Sequence, residues 1–346
     1  MSDPIRIGKD QLLAFVREIF VAAGIARDMA EIWADVLVWA NLRGVDSHGV
    51  LRVPRYLDLI ARKSINPEPD MRTLRSAGAI AVIEADRAPG AVAMVRAVDE
   101  AIRRAREVHI GWCAVRNISH AGAIGYFALR AAQAGFAGLV MAASGPMMAY
   151  HGARVSGVST NPLAIAVPGK KHPPFLLDMS TATVANGKVL DARDRGVAVP
   201  LGWGIDAEGR DTTDPKKIAT LLPVGGAKGS GLSFMIECLC SLAVSNPRIA
   251  PALAGTGPED PLMNAVAMAV DLAALGDADA FGEEADRLGE AITALPRAEG
   301  VDRILLPGER GDQVKAERER TGIPIAKGTW TRLVQAAERV GVPAPA

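Results

Sequence analysis

The segment spanning residues 43–52 carries the side chains best suited to acid–base chemistry on a small carboxylic acid. It places Ser47 and His48 in a glycine-bracketed turn that leads into a helix, with Arg52 four residues after His48. A histidine there could give or take the proton on a substrate oxygen, since its ordinary pKa lies near neutrality. On a continuing helix Arg52 would share a face with His48, and its planar guanidinium could hold a carboxylate. A helix cap at Ser47 with a surface His and Arg fits the same spacing.

A second cluster, residues 117–125, follows an apolar strand and opens a helix with the sequence Asn-Ile-Ser-His-Ala-Gly-Ala-Ile-Gly. The first turn of a helix presents unpaired N–H groups and the positive end of the helix dipole, which suits a phosphate. The Gly-x-Gly-x-x-Gly pattern of a Rossmann dinucleotide site is missing. A capped helix that packs closely at Gly122 and Gly125 is the alternative interpretation.

Two further positions have the residue types of a ligand site. Lys228 stands among four glycines ahead of an apolar helix, which predicts an anion site. It is not the phosphate loop of an NTPase, because Gly229 follows the lysine where that loop has Ser or Thr. Asp178 ends a short apolar strand, where α/β proteins gather ligands, although a helix N-cap explains it equally well. No grouping of His, Cys or carboxylate residues has a metal-ligand spacing.

The elements that would position these residues follow from hydrophobic periodicity. Helical periodicity covers the first seventy residues and returns from about Gln313 to Val340, and we expect these two ends to pack together. Between them short apolar runs alternate with helical patterns, which indicates an α/β sheet covered by helices. Strands are predicted at 80–83, 109–115, 139–143, 163–167, 175–177, 265–272 and 301–306, and helices at 92–108, 124–133, 229–245 and 283–295.

Bulk composition excludes several classes of protein. Lys and Arg total 39, as do Asp and Glu, which leaves no net positive charge for a nucleic-acid backbone. Three cysteines without a Cys-x-x-Cys pair favour a reducing compartment. The N-terminus lacks the features of a signal peptide, and the most apolar helix, residues 232–244, is too short for a bilayer and contains Glu237. We therefore expect a cytoplasmic protein without a nucleic-acid or membrane partner.

Seven segments, in order and nearly end to end, resemble the type-2 malate/L-lactate dehydrogenase family. They are RGVDSHGVLRVPRYL from Arg43, NISHAGAIGYFALRAAQAGFAGLVMAASGP from Asn117, STNPLAIAVPG from Ser159, FLLDMSTATVANGKV from Phe175, GWGIDAEGRDTTDP from Gly202, LLPVGGAKGSGLSFMIE from Leu221 and VDRILLPGERG from Val301. Relatives in this family include ureidoglycolate dehydrogenase, sulfolactate dehydrogenase, diketogulonate reductase and piperideine-carboxylate reductase.

The resemblance implies an α/β protein with a non-Rossmann fold, which accounts for the missing glycine fingerprint. A mixed-sheet cofactor domain at residues 73–310 would stand beside a helical domain built from residues 1–72 and 311–346, with the substrate cleft between them. It also implies a homodimer that uses NAD or NADP to move a hydride to or from C2 of a small 2-oxo or 2-hydroxy carboxylic acid. The alternatives are a reductase of cyclic imine carboxylates and a nucleotide-binding relative without catalysis.

The resemblance also implies roles for individual residues. Catalytic positions of the family match Ser47, His48, His120 and Asp178, and substrate-binding positions match Arg52 and Thr160. Cofactor contacts of the family match His120, Gly122, Ala123, Ile124, Ser144, Asp178, Met179, Ser180, Lys228, Pro307, Gly308 and Glu309. The proton donor matches His48 in some relatives and His120 in others. We favour His48, because Ser47 and Arg52 lie beside it.

Some positions depart from the family pattern. Ala227 and Ser230 stand where relatives often have His and Tyr, and Tyr150 with His151 replaces a frequent Pro-Trp pair. These changes could reshape the pocket, so the resemblance does not carry one particular substrate. A basic residue near the ribose, Arg193 or Arg195, would favour NADPH over NADH, and the sequence leaves that choice open.

Overall fold

The computed structural model of the chain describes residues 4–257 and 259–345, in which helices alternate with strands along much of the sequence. The helices are α1 (Lys9–Ala22), α2 (Arg27–Leu42), α3 (Val53–Ala61), α4 (Gly90–Val108), α5 (Gly125–Gln133), α6 (Asn186–Arg195), α7 (Ala227–Cys240), α8 (Ile249–Leu253), α9 (Ala278–Thr293), α10 (Glu309–Thr321) and α11 (Lys327–Arg339). The strands are β1 (Ile5–Ile7), β2 (Arg72–Ala77), β3 (Ile80–Glu84), β4 (Ile110–Ile118), β5 (Phe136–Ala143), β6 (Met148–Ala149), β7 (Ser156–Val158), β8 (Leu163–Val167), β9 (Phe175–Met179), β10 (Gly204–Ile205), β11 (Thr220–Leu221), β12 (Met263–Asp271) and β13 (Ile323–Ile325).

A seven-stranded mixed sheet, in the order β2-β3-β4-β12-β5-β8-β9, forms the centre of the molecule. Strands β3 and β4 run parallel, and the other neighbouring pairs are antiparallel. Because side chains alternate across a strand, Val115 and Ala267 pack with α4 and α5, whereas Ala114 and Val266 pack with α7 on the opposite face. The mixed α/β fold expected from the sequence is confirmed, and its antiparallel pairs distinguish it from the mostly parallel Rossmann sheet.

Two glycines in the sheet let the covering helices approach closely. A Cβ on Gly111 would lie 1.8 Å from the Ala101 carbonyl oxygen of α4, and one on Gly138 would lie 2.5 Å from the Ala128 oxygen of α5. The missing side chains therefore determine how closely α4 and α5 lie on the sheet. This packing brings the N-terminal end of α5 to the end of β9, where Asp178 lies.

The two ends of the chain pack together, as the sequence predicts. Strand β1 pairs antiparallel with β13, and Phe15 of α1 contacts Trp330 of α11 with ring centroids 5.9 Å apart. Arg339 of α11 pairs with Asp58 of α3 at 2.9 Å. One hydrophobic core runs from these terminal elements into the sheet. The division into domains at residues 72 and 311 stays a prediction.

Two predictions about the C-terminal region are wrong. Residues 301–306 form no strand; the segment meets the sheet edge through a 3.1 Å hydrogen bond from the Leu176 N–H to the Pro307 carbonyl oxygen. An apolar run resembles a strand, but Pro307 has no N–H with which to extend a ladder. The expected tail helix is divided at Gly322 (φ 85°), where β13 separates α10 from α11. Sequence reasoning also missed the sheet β10-β11-β6-β7, whose strands are very short.

Candidate active site

The turn that carries Ser47 and His48 is fixed by a side chain of the preceding helix. Asn41 of α2 donates from Nδ2 to Asp46 Oδ1 (2.7 Å) and accepts the Val50 N–H at Oδ1 (2.8 Å). Gly49 lies against that amide, since a Cβ there would be 2.1 Å from Asn41 Oδ1. The glycine after His48 is therefore a steric requirement, and Asn41 sets the path of the turn.

Ser47, His48 and Arg52 are joined by hydrogen bonds. Ser47 Oγ lies 2.9 Å from His48 Nδ1, and Arg52 donates from Nε to the Ser47 carbonyl oxygen at 2.7 Å. The continuous helix expected from His48 to Arg52 does not form, because the chain is extended at Gly49 (φ −91°, ψ −152°). Arg52 nevertheless reaches back to the turn, and it forms no ion pair with any residue that the structure describes.

His120 lies against the same turn. Its ring centroid is 5.5 Å from that of His48, and the two ring planes differ by 20°. The hydroxyl of Tyr56, a buried residue of α3, is 2.8 Å from His120 Nδ1. Sequence reasoning missed Tyr56. The signal that could have identified it is its position four residues after Arg52, which places both on one face of a helix.

Burial keeps both imidazoles of this group neutral. Loss of solvent lowers the pKa of His48 to about 4, and the Arg52 cation adds to the effect. Burial, followed by His48, Arg52 and Arg55, holds the pKa of His120 well below its usual range. Burial raises the pKa of Tyr56 to about 12. At neutral pH the group thus consists of two neutral imidazoles, a neutral phenol and the Arg52 guanidinium, a set that favours an anionic ligand.

Asp178, at the end of β9, is hydrogen-bonded to the start of α5. Its Oδ2 accepts the Gly125 N–H at 3.0 Å, and a Cβ on Gly125 would lie 2.6 Å from the same oxygen. Asp178 as a residue is exposed to solvent, while neighbouring protein groups partly desolvate its carboxyl group. This partial desolvation raises the pKa of Asp178 to about 6, while the Gly125 N–H and the Arg43 cation oppose the rise. Position and pKa make it a carboxyl that changes charge near neutrality.

Strand β9 and the residues after it also contact other segments with an implied ligand role. Ser180 Oγ donates to the Thr160 carbonyl oxygen (3.1 Å), and the Leu176 N–H donates to that of Pro307 (3.1 Å). The Thr181 carbonyl oxygen accepts the N–H of Val224, in the loop before Lys228, at 2.9 Å. The remaining predicted cofactor residues lie near these contacts or in the turn before α5: Gly122, Ala123, Ile124, Ser144, Met179, Gly308 and Glu309.

The backbone N–H groups at the two helix ends proposed as anion sites are largely taken up inside the protein. At α5 the Gly125 N–H is bound to Asp178, and the next two N–H groups donate to carbonyl oxygens of the preceding turn. At α7 the N–H groups of Lys228, Gly229 and Ser230 are bound in the same way. The interpretation of these two turns as anion sites stays a prediction. The ammonium of Lys228 is exposed and is available to an anion.

Other polar groups in the region fit a nicotinamide dinucleotide. Thr181 Oγ1 is buried beside the end of β9 and has no hydrogen-bond partner among the residues that the structure describes. Ser144 has a half-buried hydroxyl, 2.6 Å from that of Ser159. A ligand with ribose hydroxyls and phosphates would complement these groups and Lys228. The Arg193 guanidinium donates to a carbonyl oxygen at 3.1 Å, and the side chain of Arg195 lies outside what the structure describes.

Comparison with known proteins identifies the family. The family model for malate/L-lactate dehydrogenase matches residues 7–334. A malate dehydrogenase from Pyrococcus horikoshii is 35% identical over 348 residues, which is 98% of this chain and 96% of the relative. An L-sulfolactate dehydrogenase from Methanocaldococcus jannaschii is 34% identical over 323 residues, which is 92% of this chain and 92% of the relative.

Solved structures of related proteins share the fold of this chain over nearly its whole length. The P. horikoshii malate dehydrogenase structure has a TM-score of 0.90 at 33% identity. The superposition covers 100% of this chain and 98% of the solved chain. The Δ1-piperideine-2-carboxylate reductase of Pseudomonas syringae pvar. tomato has a TM-score of 0.85 at 27% identity, and the superposition covers 96% of this chain and 100% of the solved chain. The resemblance found in the sequence is thereby confirmed. The chain is an oxidoreductase that belongs to the malate/L-lactate dehydrogenase family.

Proposed function

We propose that the chain interconverts a small 2-oxo acid and the corresponding 2-hydroxy acid with NAD or NADP. The observation that carries this proposal is the group formed by Arg52, Ser47, His48, Tyr56 and His120. It combines a guanidinium that has no carboxylate partner among the described residues with two neutral imidazoles, each of which has Nδ1 bound to a hydroxyl group. An anion site and a proton donor are what reduction at C2 of a 2-oxo acid requires from the protein.

Arg52 binds the substrate carboxylate in this mechanism. Its Nε is held by the Ser47 carbonyl oxygen, which leaves the outer guanidinium nitrogens for the carboxylate oxygens. Because the Arg52 cation is one of the causes that lower the pKa of His48, a carboxylate bound to Arg52 would raise that pKa. Substrate binding would therefore help His48 to carry the proton that reduction consumes.

His48 is the proposed proton donor to the C2 oxygen in reduction and the acceptor in oxidation. Its Nδ1 faces Ser47 Oγ, so Nε2 is the atom available to the substrate oxygen. His120 has its Nδ1 bound to Tyr56, and we assign it to the side of the cleft shared by substrate and cofactor. The two imidazoles lie side by side, with ring centroids 5.5 Å apart, so the assignment needs separate variants of each.

The cofactor would lie along the end of β9. Asp178 and Ser180 on one side, and Lys228 on the other, are the groups that would hold it, with Pro307 at the outer edge. When bound, the nicotinamide supplies or accepts the hydride. The chain's own residues fix the substrate carboxylate, move the proton at the C2 oxygen and exclude water.

Two further expectations remain proposals. We propose a homodimer, since α7 and the turn after it expose several large apolar side chains, Phe234, Met235, Leu239 and Leu242. The opposite side of α7 packs on the sheet, through Ile236 and Cys240. Although Ala227–Val244 satisfies the length and composition of a membrane span, we place the protein in the cytoplasm.

The test is the loss of absorbance at 340 nm with NADH and, separately, NADPH, against pyruvate, oxaloacetate and a cyclic imine carboxylate. We expect turnover on at least one 2-oxo acid with one cofactor preferred. Turnover on the imine alone would assign the chain to the imine reductases. Cofactor binding without turnover on any compound of a wide panel would contradict catalysis and favour a binding role.

A further inference from the structure

Helix α10 joins the proposed cofactor segment to the catalytic turn, and it does so through charged groups. Every residue of α10 is at least partly exposed, so burial of apolar surface contributes little to holding it in place. Its first residue is Glu309, directly after Pro307 and Gly308. Its third turn carries Arg318, which lies beside Asp46, the residue before Ser47.

The cofactor end of α10 is held by Arg43. This side chain, 6% exposed, donates from Nη2 to the Gly308 carbonyl oxygen at 2.8 Å and pairs with the Asp312 carboxylate. Gly311 makes room for it, since a Cβ there would be 2.7 Å from Arg43 Nη2. Arg43 directly follows α2, so this contact fixes the Pro307–Glu309 segment against the helix that leads into the catalytic turn.

The other end of α10 holds the catalytic turn. Arg318 donates from Nη1 to Asp46 Oδ1 (2.7 Å) and from Nη2 to Asp46 Oδ2 (3.1 Å), and it also donates to the Asn41 carbonyl oxygen. The Arg318 side chain is 15% exposed, so solvent screens this two-pronged pair less than an ordinary surface pair. The Asn41 amide contacts the same Asp46 carboxylate and shapes the backbone on both sides of His48.

We infer that α10 is a rigid connection through which binding of the cofactor at Pro307–Glu309 orders the Ser47–His48 turn for substrate. Arg318 lies ten positions after Gly308, which is a helical rise of about 15 Å. Each end is fixed by a charged contact to α2 or to the turn that follows it. A shift of α10 at one end must therefore move or break the contact at the other end. Arg318 and Asp312 are positioning residues in this account. The inference rests on the proposed cofactor role of Pro307–Glu309.

The test measures how the cofactor changes the affinity for oxamate, a 2-oxo acid analogue that cannot be reduced. Dissociation constants for oxamate are measured in the whole protein with and without saturating NADH or NADPH. In the unaltered protein we expect the cofactor to tighten oxamate binding roughly 5- to 150-fold, the usual range for two coupled sites. Arg318→Gln should bring this ratio close to one while the cofactor dissociation constant changes less than about twofold.

Three variants give the experiment its controls. Arg318→Lys keeps the charge but loses the two-pronged contact, so it should retain part of the ratio. Asp312→Asn should reduce the ratio from the opposite end of α10. Arg339→Gln removes another pair between the two chain ends, with Asp58, and should leave the ratio unchanged.

The possible failures are distinguishable. A ratio of one in the unaltered protein, or an unchanged ratio in Arg318→Gln, would overturn the coupling alone. If neither NADH nor NADPH binds to the unaltered protein, the proposed function itself is contradicted. If Arg318→Gln does not fold, Arg318→Lys and Asp312→Asn decide the question, since a full ratio in both would overturn the inference.

Discussion

Two polar regions flank the loop that follows β4, and they differ in how their charges are compensated. In the active-site group, Arg52 has no carboxylate partner among the described residues, and the two imidazoles beside it are neutral. In the second region, centred on Asn117, Glu84 pairs with Arg116, while Arg248 donates to the Asn117 amide and has a buried Nε without a hydrogen-bond partner among the described residues. The active-site group thus lacks an anion, whereas the second region contains the Glu84 carboxylate.

The second region is a buried hydrogen-bond network. Glu84 accepts from Arg116 Nε (2.7 Å) and from Asn117 Nδ2 (3.0 Å). Asn264, fully buried, accepts the Asn117 N–H at 3.1 Å and donates to Ser241 Oγ at 3.0 Å. These contacts hold Asn117 at a positive φ of 58°, three residues before His120. The network therefore fixes the backbone that presents His120.

This difference indicates that the active-site group binds a ligand, whereas the Asn117 network supports the fold. A half-buried cation without a partner is costly in the free protein, so its retention favours a role with an anionic ligand. A network whose groups mostly bond to one another contributes to stability and position. We therefore expect changes in the first region to affect turnover and changes in the second to affect the free energy of unfolding.

The largest effect is expected for His48→Ala. If His48 is the proton donor, kcat should fall by about 10²–10⁴-fold, because a positioned acid contributes that order. The dissociation constant of the cofactor and the melting temperature should hardly change. Steady-state kinetics and a binding titration check this, with the exposed His172→Ala as the matched control. Unchanged turnover in His48→Ala would remove His48 from the mechanism.

Arg52→Lys tests the carboxylate-binding role of the active-site group. Lysine keeps the charge but loses the planar pair of donors, so KM for the acid substrate should rise roughly 10- to 100-fold, as the loss of a charged hydrogen bond predicts. The cofactor KM should stay constant. Arg62→Lys, an exposed change after the same helix, is the control. An unaltered KM for the acid in Arg52→Lys would contradict the carboxylate role.

Asn264→Ala tests the support region. It leaves the Asn117 N–H and the Ser241 hydroxyl without a buried partner, so the free energy of unfolding should fall by about 2–4 kcal/mol. Chemical denaturation measures the loss, with Gln133→Ala, an exposed change on α5, as the control. The folded variant should retain kcat within about threefold. A large loss of kcat with full stability would show that the two regions are not separate in role.

The smallest effect is a pH-dependent change at Asp178. Its folded pKa of about 6 lies above the ordinary value of 3.8, so the stability that this carboxyl contributes is present below about pH 4 and is lost as pH rises through 6. Asp178→Asn removes that loss and can keep the Gly125 contact. Its melting temperature should exceed that of the unaltered protein by roughly 1–2 °C at pH 8, with the difference shrinking toward pH 4. A difference that is independent of pH would contradict the raised pKa.

Short motifs were the most predictable part of the active site. Ser47, His48 and Arg52 could be grouped from their spacing alone, although Gly49 breaks the helix that the spacing suggests. His120 and Tyr56 come from different segments, and single-sequence periodicity carries no information about such a long-range contact. The resemblance to a family placed His120 in the site, and the coordinates added Tyr56.

The fold was predictable where periodicity is strong and long. Helix α4 and strands β3 and β4 follow the predicted segments closely. Residues 301–306 failed because an apolar composition does not distinguish a paired strand from a segment that runs along a sheet edge. The close approach at Gly187, where a Cβ would be 2.5 Å from Ser47 Cβ, depends on how α6 packs and leaves no trace in local pattern.

Rescue of His48→Ala by free imidazole tests the central claim most directly. The rate of NADH or NADPH consumption with a 2-oxo acid is measured for His48→Ala and His120→Ala over a range of imidazole concentrations. If His48 gives the proton to the C2 oxygen, imidazole should restore turnover in His48→Ala with saturation and leave His120→Ala unchanged. Restoration in His120→Ala but not in His48→Ala would contradict this account and assign the proton to His120.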